Sequence, residues 1–101
     1  MKTYTLIDCT LEDFMELNRQ QIHLDILEAI QKAIDAPEFA TIEVAIVKSE
    51  KHTANIDITT VEEAIDALEK CLGYFVQSEQ YELAIVARDC LKHFYKLVPL
   101  T

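Results

Sequence analysis

Apolar residues recur along this chain in two rhythms, an alternation of two and a step of three or four, and together they divide it into six elements. Lys2 to Asp8 mixes β-branched and aromatic residues and predicts a short strand, with Tyr4 and Leu6 on one face and Thr3, Thr5 and Ile7 on the other. Thr10 with Asp13 then gives an N-cap signature. Behind it Leu11, Phe14, Met15, Asn18, Ile22, Ile26, Ile30 and Ile34 follow one helical face, widened by His23, Leu27 and Ala33. Pro37 limits this helix, because the residue before a proline disfavours the α region. A helix of about 25 residues would be ~37 Å long, more than a domain of this size needs, so it either kinks near Asn18 or extends beyond the core.

Phe39 to Lys48 returns to alternation, with Ile42, Val44 and Ile46 pointing one way and Thr41, Glu43, Ala45 and Val47 the other. Ser49 to His52 is polar enough for a turn, and Thr53 to Ile58 supplies the second strand of a hairpin. Thr59 and Thr60 with Glu62 and Glu63 form overlapping capping boxes, which start a helix. Val61, Ala64, Ile65, Leu68, Leu72, Phe75 and Val76 make its apolar stripe. Ser78 is placed to cap a second helix, in which Tyr81, Ala84, Ile85, Ala87, Leu91, Phe94, Tyr95 and Val98 run to Pro99. Two stripes and a short polar loop predict an antiparallel helical hairpin over residues 60–98. The order is β-α-β-β-α-α. It implies an α+β fold in which a small antiparallel sheet of about three strands is covered on one face by the long helix and the hairpin.

At 101 residues, half of them apolar, with one Gly and two Pro, the chain fits one domain spanning 1–101 with a single core. No run approaches the roughly 18 apolar residues of a membrane span, and no basic-then-apolar leader opens the sequence, so a cytoplasmic protein is expected. The formal charge of −9 repels phosphate backbones and argues against direct nucleic-acid binding. Most of the acids lie in the first two thirds, and Glu12, Asp13 and Glu16 offer an acidic face to a basic partner. Cys9, Cys71 and Cys90 lack the paired spacing of a zinc site and read as structural thiols, with Cys71 and Cys90 at similar distances from the hairpin turn.

Leu68-Glu69-Lys70, then Tyr81-Glu82 and Ala84, then Arg88-Asp89 and Leu91 resemble, without a gap, the UVR motif, the helical hairpin of bacterial excision-repair and some protease-adaptor proteins. The resemblance spans residues 68–94, and Ile85 and Ala87 stand where the family usually has Ala and Leu. The same stretch is similar to one tetratricopeptide repeat, through Leu72-Gly73, Tyr81, Ala84 and Pro99, although only one copy is present. Either resemblance implies an interaction module rather than an enzyme, and the UVR resemblance implies that Arg88 and Asp89 flank the face that meets a second helical hairpin.

Catalytic constellations are not found in the pattern. Gly73 stands alone inside a helix, which excludes a phosphate-cradling loop at motif level, and is expected to make a packing contact. Ser49 and Ser78 fall in polar turns without a nucleophile-elbow context. Asp89 and His93 are spaced to pair or to hold a metal but have no third ligand, and His23 reads as a paired histidine on an apolar face. No metal and no cofactor is expected. The partner-binding candidates are therefore Tyr81, Glu82, Val86, Arg88, Asp89, His93 and Lys96, with Val86 an apolar group on the polar side of the last helix. The expected function is that of a non-enzymatic protein-binding module or adaptor, gripping another protein or a second copy of itself. The alternative is a small acidic inhibitor or immunity protein that blocks a basic active site through Glu12, Asp13 and Glu16.

Overall fold

The computed structural model describes residues 2–7, 9–35, 40–50 and 52–97. Asp8, Pro37, Phe39, Lys51, Val98 and Pro99, at which the sequence pattern placed ends and turns, lie outside the described residues. The elements are β1 (Lys2–Thr5), α1 (Leu11–Leu17), α2 (Arg19–Ala33), β2 (Ile42–Lys48), β3 (Thr53–Ile58), α3 (Val61–Gln77) and α4 (Tyr81–Tyr95). The fold is α+β, and the long first helix is two helices.

Asn18 makes the break. Its side-chain Nδ2 and its backbone N–H both donate to the Phe14 carbonyl, at 2.9 and 3.0 Å, while its own carbonyl accepts from Ile22. A short amide side chain competes with the helical ladder in this way, and the φ of −114° shows the local departure from helix. At the other end of α1, the Asp13 N–H donates to Thr10 Oγ1 at 3.1 Å, as the cap signature predicts.

The sheet has the order β1-β2-β3 and is mixed, not antiparallel. β2 and β3 pair antiparallel across the Ser49–His52 turn, whereas β1 pairs parallel to β2, Tyr4 opposite Val47. The cause is the crossover: a helical connection carries the chain back along the sheet, so the next strand starts from the same end as the first. A bulge between Glu43 and Ala45 corrects the reading of β2 as well. Val44 and Ala45 are both buried, and beyond them the pleat is inverted, so that Val47 faces the core and Ile46 the outer side with Asn55. The helices cover one face; Thr3, Thr5, Glu43, Asn55 and Asp57 leave the other polar and exposed.

α3 supplies the centre of the core. Ala64, Leu68, Cys71 and Phe75 are fully buried along it, while Leu72 is only half-buried and Val76 is exposed. Against them pack Leu27 and Ile30 of α2, Ile42, Val44, Ala45 and Ile58 of the sheet, and Ala84, Ala87, Cys90, Leu91 and Phe94 of α4. A smaller cluster of Phe14, Ile22 and Val47, with the Tyr4 ring 5.1 Å from that of Phe14, closes the β1 side. Gly73 makes no packing contact: a Cβ there would meet open space.

The hairpin start matches the capping signature with one shift. Thr60 Oγ1 accepts from the Glu63 N–H at 3.1 Å, and the Glu63 carboxylate reaches back to both the N–H and the hydroxyl of Thr59, at 2.7 and 2.8 Å. These bonds hold the Glu63 carboxyl below its ordinary pKa. The turn between the helices differs from expectation. Ser78 closes the C-terminus of α3, donating from Oγ to the Tyr74 carbonyl at 2.8 Å, and α4 starts at Gln80 with no side-chain cap. The Glu79 N–H donates to the Val76 carbonyl and the Gln80 N–H to the Phe75 carbonyl, which is a Schellman closure with Glu79 at a φ of 60°. The Gln80 side-chain amide exchanges hydrogen bonds of 2.7 Å with that of Gln20, tying the turn to the start of α2.

Two stability outcomes follow from this packing. Leu68→Ala should cost about 2–5 kcal/mol in urea unfolding, as a full core truncation, and Leu72→Ala clearly less. Glu79→Gly should stabilise by about 1 kcal/mol, because it relieves a left-handed conformation that L-residues resist. A loss of stability in that variant would place the strain elsewhere.

Candidate functional site

The burial of α4 fixes what the helix presents outward. Its inner side consists of small and apolar groups, Ala84, Ala87, Cys90, Leu91 and Phe94. Tyr81, Ile85 and Tyr95, which the sequence pattern assigned to the buried stripe, are instead 58, 47 and 51% exposed. They follow each other with Arg88 and Lys92 at steps of four, three, four and three residues, so the five side chains form one row along the outside of the helix. Val86 corrects in the opposite direction: it is partly buried and packs against the core, so Ile85 is the apolar group that the outer face exposes.

The charged candidates lie on or beside that row. Glu82, Arg88, Asp89, His93 and Lys96 are all exposed. Arg88 Nη2 stands 3.5 Å from Asp89 Oδ1, and the His93 ring meets Phe94 edge-on at 5.4 Å. The Tyr95 hydroxyl donates to Glu69 Oε1 at 2.7 Å, which crosses the hairpin and fixes the outward position of the ring. The proximity of that carboxylate, which accepts the bond, raises the Tyr95 pKa above its ordinary value. Tyr81, Glu82, Arg88, Asp89 and Lys96 are thus brought to one surface by a single helix, with His93 at its edge.

Glu12, Asp13 and Glu16, the acidic alternative, are exposed on α1. Glu12 and Glu16 stand on the rim of a groove of about 700 Å³ between α1–α2 and α3. Leu11, Met15, Ile22, Ile26 and Ala67 give the groove an apolar lining. Its charged rim is largely paired within itself, Arg19 with Glu16 at 3.5 Å and Lys70 with Asp66 at 3.0 Å. His23 also lines it, donating from Nδ1 to the Arg19 carbonyl at 2.7 Å and stacking on Tyr74 with ring centroids 4.4 Å apart.

Sequence reasoning missed Asp25, one of the acids in the first two thirds of the chain. It is 4% exposed and receives Lys2 Nζ at 2.9 Å, Gln21 Nε2 at 2.8 Å and the hydroxyl of Tyr4. Burial by itself would push this carboxyl up; the bonds from Tyr4, Lys2 and Gln21, with the Lys2 charge, outweigh it and hold the pKa below its ordinary value. Burial and the same carboxylate push Tyr4 up to about 12. The signal in the sequence was the pairing of Lys2 and Tyr4 on alternate strand positions with an acid on the apolar side of the helix, legible only once β1 and α2 are known to touch. The cluster is closed on itself, and it fastens the edge strand to the crossover helix.

The thiols offer no nucleophile in the core. Burial pushes Cys71 up to about 12, with its Sγ directed at the His23 carbonyl 3.7 Å away, and burial together with the Asp89 charge raises Cys90. Among the described residues, no group of three or more His, Cys, Asp or Glu side chains is arranged to hold a metal ion. No described helix is long and apolar enough to cross a membrane. No family model, curated protein or solved structure matches the chain.

The Asp25 cluster predicts an acid-limb effect. The folded carboxyl titrates below its ordinary value of 3.8. Its contribution to stability is therefore complete above about pH 4 and is lost as the pH falls through the lower folded value. Asp25→Asn should cost about 1.5–3 kcal/mol at neutral pH. The gap between variant and wild type should close in thermal melts taken at progressively lower pH. A gap independent of pH would mean that the charge of Asp25 is not what fastens β1.

Proposed function

We propose that the chain is a non-enzymatic protein-binding module that engages its partner through the outer face of α4. The observation that carries this reading is the exposed row of Tyr81, Ile85, Arg88, Lys92 and Tyr95. Scattered exposed apolar residues are ordinary on a soluble surface. A row in which two tyrosines and an isoleucine alternate with an arginine and a lysine has a different composition, since aromatic residues and arginine dominate the energetics of protein interfaces. Glu82, Asp89, His93 and Lys96 supply a polar margin around it. The likeness of residues 68–94 to the UVR hairpin supports the same assignment, because Arg88 and Asp89 of that pattern fall on this face and Ile85, a departure from it, supplies its apolar centre.

One observation favours a second reading, in which an acidic α1 blocks a basic active site: Glu12 and Glu16 border an apolar groove wide enough to accept side chains of another protein. Pairing of Glu16 with Arg19 and of Asp66 with Lys70 removes much of the charge that this reading needs. It ranks second for that reason.

A photo-reactive side chain at position 85 should form an adduct with the binding partner in host extract, and the same group at position 12 should not. In titrations with the partner so identified, Arg88→Ala or Ile85→Glu should weaken association by more than about 1 kcal/mol with little change in melting temperature. Adducts from position 12 alone, with binding sensitive to charge reversal at Glu12 and Glu16, would overturn the α4 reading in favour of the inhibitor.

A further inference from the structure

We infer that the partner for the outer face of α4 is a second copy of this chain, docked antiparallel about a two-fold axis that passes between Arg88 and Asp89. This rests on the α4 reading above and names its occupant. The first argument is the distribution of charge. From Glu79 onward three acids, Glu79, Glu82 and Asp89, cancel three bases, Arg88, Lys92 and Lys96, so the whole net charge of −9 resides in residues 1–78. Much of that charge lies on α1, with Glu12, Asp13 and Glu16, and on α3, with Glu62, Glu63, Asp66 and Glu69 against Lys70; two copies that meet through either helix bring acidic surfaces together, and repulsion between them opposes association. α4 combines a balanced charge with the exposed row of Tyr81, Ile85 and Tyr95, so two such chains can share it without that cost.

The second argument is the order of the charges along the helix. Glu79 and Glu82 stand at its beginning, the Arg88–Asp89 pair in its middle and Lys92, His93 and Lys96 at its end. An antiparallel copy places Arg88 opposite the copy's Asp89, and Asp89 opposite its Arg88. It sets Ile85 against the stem of the copy's Lys92 and Tyr81 against that of Lys96, so that Glu82 lies beside Tyr95 and within reach of Lys96. The interface is isologous: every contact occurs twice, and the helix dipoles oppose each other. A parallel copy would put Lys92 on Lys92 and Glu82 on Glu82. Tyr95, already held by Glu69, loses little freedom on being covered.

α4 has 15 residues and is about 22 Å long at 1.5 Å per residue. An interface of that length falls at the small end of the specific range, below about 1,200 Å², so the dimer is dilution-sensitive, with a dissociation constant in the micromolar range.

The test is analytical ultracentrifugation of the purified full chain from low micromolar to millimolar concentration, with circular-dichroism melts to show that each variant folds. Wild type should pass from monomer to dimer across that range. Glu82→Lys and Lys96→Glu should each raise the dissociation constant by about tenfold, because each juxtaposes like charges twice. The double variant carrying both changes should regain most of the wild-type affinity, a rescue that requires the copy's own α4 in antiparallel order. Ile85→Glu should leave a monomer throughout. Single variants that weaken the dimer without rescue in the double would overturn the antiparallel arrangement, as would a dimer indifferent to all of them. A wild-type chain that stays monomeric at millimolar concentration would overturn the second copy as occupant; the α4 reading would then stand or fall separately, on whether the probe at position 85 attaches to a different protein.

Discussion

Burial of one face of α3 is the constraint on which the rest of this structure depends. Three of the largest fully buried side chains, Phe75, Leu68 and Cys71, lie on that helix, and the fourth, Ile30, lies on α2. Each large apolar side chain removed from water contributes roughly 1.5–3 kcal/mol, so the α3 stripe is the largest single source of stability available to so short a chain. It must be covered from several directions at once. α4 covers it as the other arm of the hairpin, α2 and β3 both touch α3, and the sheet adds Ile42, Val44, Ala45 and Ile58 to the same cluster. The Schellman turn at Glu79 and the Gln20–Gln80 amide pair fix the angle at which two of those covers meet.

β1 draws little support from that core, which it meets through Tyr4. It is four residues long, at the edge of the sheet, and among the described residues its one strand partner is β2. Asp25 compensates. Placing a carboxylate almost out of water is unfavourable unless it is hydrogen-bonded and paired, and Lys2, Tyr4 and Gln21 satisfy it from two elements. The polar cluster therefore does for the strand what apolar area does for α3, and it acts only when β1 lies parallel to β2 with Tyr4 turned toward α2.

Where the sequence pattern was reliable, a local rule carried the signal. The Thr10 and Thr60 caps, the hairpin and the three strands could all be read from neighbours within a few positions, whereas the break near Asn18 was one of two outcomes that the length of the helix left open. Errors arose where a distant contact overruled that rule. Nothing near β2 announces that Val44 and Ala45 both turn inward, because the bulge is a property of its pairing with β3. Parallel pairing of β1 depends on where a crossover ends, and the burial of Asp25 on a strand more than twenty residues away. For the proposed surface, the exposure of Glu82, Arg88, Asp89, His93 and Lys96 on the last helix was legible. Its rotation was not: hydrophobic size suggested that Tyr81, Ile85 and Tyr95 face inward, and the small residues Ala84, Ala87 and Cys90 take that place.

That inversion of size is itself informative. A helix that had only to stabilise this monomer would gain by turning its largest apolar groups toward α3 and leaving its alanines outside. Although it buries Leu91 and Phe94 in its last turns, α4 does the reverse elsewhere, keeping Ala84, Ala87 and Cys90 within and Tyr81, Ile85 and Tyr95 without. Small residues on the inner side let the two hairpin helices approach closely, as their extensive contact reflects. The cost is an apolar row in water, interleaved with Arg88 and Lys92, on a chain whose net charge of −9 lies outside this helix. Close internal packing explains the alanines but does not require the tyrosines and the isoleucine outside, since polar side chains would serve there equally well for the fold. In the proposed reading those three residues serve contacts beyond the molecule's own core, and the balanced charge of the helix that bears them is what would let a second copy approach.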